Sequence, residues 1–221
     1  MPPVMSRIRD DLDGAILSFP FLLWSGIVDR MDVVERADCA KVDADELFFP
    51  KGVFGEPDPQ FDDDAFTREW YSDHLRAMAE PSLSCGESDQ ASYRFLWLRT
   101  WGHPIAVRIE VGQSNTLTAV ELDGRGGYEP GKVSRRVKRQ LSAEEWKTLS
   151  HTLEALNFWK MPTLLPATLG LDGANWVLEG RSGREYHVVD RWSPTDDGYR
   201  DFRLMFVEFA GLMPSEEDEV Y

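Results

Sequence analysis

Between Tyr93 and Leu212 the apolar residues change period in a fixed order: alternating, then helical, then alternating, then helical. A period of two buries one face of a strand, and a period near 3.6 buries one stripe of a helix. Tyr93, Phe95 and Trp97 alternate with Arg94, Leu96 and Leu98, so both faces of this run carry apolar side chains, as in a central strand covered on each side. Ile105, Val107, Ile109 and Val111 alternate with Ala106, Arg108 and Glu110, the pattern of a half-buried strand. Thr116–Leu122 reads as a third strand, and Lys132–Leu141 as a fourth with Val133, Val137 and Leu141 inward. Its dense basic group, Arg135, Arg136, Lys138 and Arg139, places that strand at an edge.

Ser142 followed three residues later by Glu145 is a capping box, and Trp146, Leu149, Leu153 and Leu156 then mark one helical face. Asp172–Glu179 and Arg184–Trp192 make a hairpin about Arg181-Ser182-Gly183. A last helix carries Tyr199, Phe202, Met205 or Phe206, Phe209 and Leu212. Short connections force neighbouring strands antiparallel. The expected fold is therefore α+β: an antiparallel sheet in the order β-β-β-β-α-β-β-α. Two helices in the C-terminal half cover one face, preceded by a helical and irregular N-terminal extension.

The 221 residues divide into an acidic extension (1–90), the α+β domain (91–213) and an acidic tail (214–221). Residues 1–90 hold 8 Lys/Arg against 20 Asp/Glu, whereas 91–213 hold 16 against 15, so the net charge of −15 sits outside the domain. Such a field repels phosphate backbones and argues against nucleic acid; it suits a basic protein partner or solubility alone. The basic group at 135–139 lacks interleaved aromatics and reads as an edge guard, paired with the acidic leading segment. Within the extension, Phe66, Trp70, His74 or Leu75, and Met78 have helical spacing behind Asp62–Asp64, which serve as helix caps. Ser82–Ser92 has the small polar composition of a linker.

Ala15–Val28 is apolar, but Asp10, Asp11 and Asp13 cancel the basic flank of Arg7 and Arg9, Pro20 interrupts it, and a spanning helix needs about 20 residues. A cytoplasmic location is the expectation; membrane or periplasmic association through Ala15–Val28 is the alternative. A Cys39–Cys85 bridge would close a loop of about 46 residues and add roughly 4 kcal/mol in an oxidising compartment.

The segments Tyr93–Glu110 (YRFLWLRTWGHPIAVRIE), Leu171–Gly180 (LDGANWVLEG) and Tyr186–Pro194 (YHVVDRWSP) resemble a group of uncharacterised bacterial proteins, some of which look exported. The resemblance implies a shared fold and carries over no functional residue.

No nucleotide, metal or nucleophile motif stands in the chain, and no cofactor is expected. His74 and His151 fall on helices as surface or boundary residues. His103 sits in the Trp101-Gly102-His103-Pro104 turn and His187 on the hairpin. With Trp101, Asp190, Arg191 and Trp192 they form the candidate binding surface at one end of the sheet. Two functions compete for it. One is a non-enzymatic protein-binding module, such as a toxin-neutralising immunity factor. The other is a small hydrolase or transferase, which requires His103, His187 and Asp190 to converge. An envelope-associated structural role, anchored through Ala15–Val28, is a third.

Overall fold

A computed structural model describes residues 48–55, 63–85, 90–166, 172–195 and 197–214. Its strands are β1 (Ser92–Arg99), β2 (Ile105–Glu110), β3 (Thr116–Leu122), β4 (Val133–Gln140), β5 (Ala174–Ser182) and β6 (Glu185–Trp192). They form one antiparallel sheet in the order β4-β3-β2-β1-β5-β6. The doubly apolar run lies inside it: every residue of β1 is buried, between β2 and β5. The basic strand β4 is one edge and is largely exposed; Val133, expected inward, points to solvent beside the register shift at Glu121/Leu122.

Three helices complete the α+β fold: α1 (Asp63–Ala77), α2 (Ala143–Ala155) and α3 (Asp197–Ala210). The odd residues of β1, β2 and β3 and the even residues of β5 make one core with α2 and α3. Trp97 and Trp176 are its largest members, packed with Phe95, Phe158, Phe202 and Phe206. The capping box forms as expected, with Ser142 Oγ accepting from Glu145 N at 3.2 Å and Glu145 Oε2 accepting from Ser142 N at 2.7 Å. Arg139 ties this end of α2 to the sheet and to α3, donating to both Glu145 oxygens (3.0 and 2.6 Å) and to the Phe209 carbonyl (2.9 Å). That ion pair holds the Glu145 carboxyl down at about 2. Some of the basic group is thus spent inside the domain.

The opposite face carries Leu96, Leu98, Ala106, Val120, Leu122, Val177 and Val188, covered by Tyr71 and Leu75 of α1, by Met78 just after it, and by Phe48, Phe49 and Phe54. The described residues all fall within one unit, Val33–Tyr221, so the body starts before residue 90 and the later stretch of the expected extension is its second cover. Ser82–Ser92 does not separate domains, because Glu80 and Pro81 are bound into the sheet. Arg94, fully buried, donates through Nε to Glu179 Oε2 (2.7 Å), through Nη2 to the same oxygen, and through Nη1 to the Pro81 carbonyl (2.7 Å). Arg108 donates to Glu80 Oε2 at 2.9 Å, and Tyr186 to Glu179 Oε1 at 2.8 Å.

The acidic start of α1 does more than cap a helix. Asp64 is buried and accepts from Gly52 N, Phe54 N and Arg68 Nε, each at 2.8 Å, which fixes the Phe48–Gly55 turn on the sheet. Asp62 and Ala15–Val28 lie outside the described residues. Among the described residues no helix is long and apolar enough to cross a membrane.

Candidate functional site

Glycine chemistry shapes the β1 end of the sheet. The β3–β4 loop, Asp123–Gly131, is closed on itself by Asp123 N to Lys132 O (2.8 Å), Gly124 N to Pro130 O (3.1 Å) and reciprocal bonds between Arg125 and Glu129 (2.9 Å each). It lies against the end of β1 more closely than a side chain allows. A Cβ on Gly126 would stand 2.7 Å from Arg99 N and 2.8 Å from Leu98 Cα, and one on Gly127 3.1 Å from Thr100 Cα. Gly126 N also donates to Gly102 O at 3.1 Å, and His103 Nδ1 to Gly124 O at 2.9 Å. The loop and the Trp101–Pro104 turn therefore brace each other.

That brace holds large aromatic side chains in water. Trp101 is 61% exposed and Tyr128 63%, with ring centroids 6.5 Å apart. The Trp101 indole N–H donates to Asp172 Oδ1 (3.2 Å), and the Arg125 guanidinium lies 5.8 Å from its ring centroid. On the other side of Tyr128, Phe66, Glu69, Trp70 and Asp73 of α1 line a groove of about 410 Å³ with Gly127 and Tyr128. Phe66 is 60% exposed. A smaller cavity of about 210 Å³ lies between Arg99, His103, Glu121, Arg135 and the chain after α3.

The expected surface is only partly assembled. Trp101 and His103 stand in the braced turn, and Trp192 pairs with Asn175 near the same end, against Gly173. His187 instead faces the α2/α3 side, its ring 5.0 Å from that of Phe158 and 6.5 Å from that of Trp159, in surroundings that lower its pKa chiefly by burial. Asp190 faces the α1 side, where Tyr71 Oη donates to it at 2.8 Å and Asn175 Nδ2 donates to Tyr71 Oη at 2.6 Å. Arg191 is spent on the Thr163 and Pro162 carbonyls (2.8 and 2.7 Å). Alternation along β6 sends His187 and Asp190 to opposite faces, and His103 is bound to a loop beyond the strands. The three residues do not converge, and the hydrolase or transferase reading loses its site.

One further expectation changes. His74 is fully buried rather than at the surface, its Nδ1 donating to Trp70 O at 2.9 Å and its pKa lowered by burial. Along the same helix the exposed Phe66 and the half-buried Trp70 line the groove, Trp70 also packing against the core where Tyr71, Leu75 and Met78 meet the sheet. Tyr128 is not among the expected site residues; the four glycines and proline around it are the available signal, since a closed loop with one aromatic displays it. Cys85 is disulfide-bonded, and Cys39, the only other cysteine in the sequence, lies outside the described residues. Among the described residues no group of three His, Cys, Asp or Glu gathers to hold a metal ion.

No protein-family model matches this chain, and comparison with curated proteins finds no match.

Proposed function

We propose that this chain is a non-enzymatic protein-binding module that engages a basic protein partner through the aromatic surface at the β1 end of its sheet. One observation carries the reading: Trp101 and Tyr128 are held in solvent by a loop whose glycines are locked onto β1. Leaving two large aromatic side chains wet forgoes about 1.5–3 kcal/mol of burial each. Rigid aromatic anchors lose little entropy on binding and dominate interface energies. The net charge of −15 would draw a basic partner and speed its encounter. Neutralisation of a basic toxin, as an immunity factor performs it, is the specific form this reading takes.

The test is capture from native cell extract by the full chain and by a Trp101→Ala/Tyr128→Ala variant. The expected result is one stoichiometric, basic partner held by the parent and lost by the variant. Both side chains are exposed, so the variant should keep its melting temperature. Failure to capture any stoichiometric partner, or equal capture by the variant, overturns the reading.

A further inference from the structure

The groove beside Tyr128 has a chemistry of its own. Phe66, Glu69, Trp70 and Asp73 are spaced i, i+3, i+4 and i+7 and so share one stripe of α1. Gly127 and Tyr128 form the facing wall. Phe66 and Trp70 rings stand 6.3 Å apart with a 31° angle between their planes, presenting adjacent aromatic surfaces. The wall is therefore aromatic and its polar groups are carboxylates. Aromatic faces carry negative charge density and attract cations, and carboxylates add to that field. An anion would be repelled by both. A neutral apolar ligand would gain nothing from Glu69 or Asp73 and would have to strip them of water.

Asp73 is already bridged to Arg76 on its own helix, which leaves Glu69 as the principal anion of the groove. The volume exceeds that of a bare ammonium and suits a long side chain whose stem lies on the rings while its head reaches the carboxylate. A guanidinium meets these conditions better than an ammonium, because it is planar, weakly hydrated and stacks on aromatic faces.

We propose that the groove between α1 and the β3–β4 loop receives a cationic side chain, an arginine in preference to a lysine, projecting from the basic partner. This rests on the binding reading above and adds the chemistry of its anchor.

The probe is small and needs no partner. The full chain is titrated with N-acetyl-arginine methylamide and with the citrulline analogue, which has the same shape without the charge. The Trp indole N–H signals in a nitrogen-correlated NMR spectrum report binding. The arginine compound is expected to bind about fivefold or more tighter than the citrulline compound, shifting the Trp70 signal. Glu69→Gln should weaken arginine roughly three- to tenfold and leave citrulline unchanged. Tyr128→Ala should weaken both. Glu69 and Tyr128 are exposed, so these variants remain folded, which their melting curves verify.

Equal affinity for the two compounds, no saturable shift at Trp70, or an arginine response indifferent to both substitutions overturns the proposal. If arginine shows no preference while Trp101→Ala/Tyr128→Ala abolishes partner capture, the groove assignment falls and the binding reading stands. An arginine-selective groove in a chain that captures no partner overturns the binding reading instead.

Discussion

Tyr71 Oη donates a 2.8 Å hydrogen bond to Asp190 Oδ2, joining the helix that precedes the sheet to its last strand. Burial lifts the Asp190 carboxyl to about 6, although the Tyr71 hydrogen bond and the charge of Arg203 pull it down. The folded chain therefore binds this proton more tightly than the unfolded chain. The contribution of this group to stability is largest below about pH 4 and is lost as pH rises through about 6, on the order of 3 kcal/mol in all. Asp190→Asn removes the titration and keeps an oxygen to accept from Tyr71. Relative to the parent, the variant should gain stability as pH rises from about 4 to about 6 in urea unfolding. A parent-minus-variant difference that does not change with pH would contradict this assignment.

Arg94 and Glu179 form an ion pair with both side chains fully buried. Burial raises the Glu179 carboxyl despite the guanidinium, so desolvation opposes the charged form of the pair. Arg94→Ala should cost about 3–5 kcal/mol, because it strands a carboxylate in the core. Replacing both residues with methionine should restore much of that loss. Denaturant melts of the single and double variants decide it.

Gly126 is required by contact rather than by a turn. Gly126→Ala should cost about 1–3 kcal/mol, since the loop must lift away from Leu98 and Arg99. The lift should also alter Trp101 fluorescence and weaken partner capture. Gly183 is the control: it has φ +56° with nothing within 4 Å of an added Cβ, so its alanine variant should cost only about 1 kcal/mol and leave Trp101 unchanged.

Glu145 titrates in the opposite sense to Asp190. Its carboxyl is held at about 2, below the ordinary 4.5, first by Arg139 and also by the Ser142 backbone. Its contribution is present above pH 4.5 and is lost as pH falls through about 2. Glu145→Gln should cost about 1 kcal/mol at neutral pH, typical of a cap on a partly exposed helix end. The gap should close toward pH 2 in thermal melts recorded across that range.

Local rules are enough to read most of the sheet. Both faces of Tyr93–Leu98 are apolar because β1 is covered twice, and the basic run at Arg135–Arg139 marks an edge. Ser142 and Glu145 sit three apart because a helix start needs both donors met. Helix α1 is less legible, for an equally physical reason. The apolar spacing from Phe66 to Met78 does not show that Asp64 and Arg68 bury polar groups on the sheet side, where partners 10 and 12 residues upstream satisfy the carboxylate. Hydrophobic period cannot register a buried charge whose partners are distant backbone amides. The separation of His187 from Asp190 follows from strand alternation, whereas the nearness of Tyr128 to Phe66 and Trp70 is tertiary and has no sequence signature.

The borders of the sheet carry a consequence for assembly. At one, Asp190 N already donates to Thr163 O at 2.9 Å, so a visiting strand would find that amide taken. At the other, four cations within five residues would meet four more on an incoming copy of β4, with like charges opposed. Ribbon-like growth of one molecule onto the next is discouraged from both sides. A concentrated solution of this chain should resist fibre formation, and charge-neutralising substitutions at Arg135, Arg136 and Lys138 should be where that resistance first gives way.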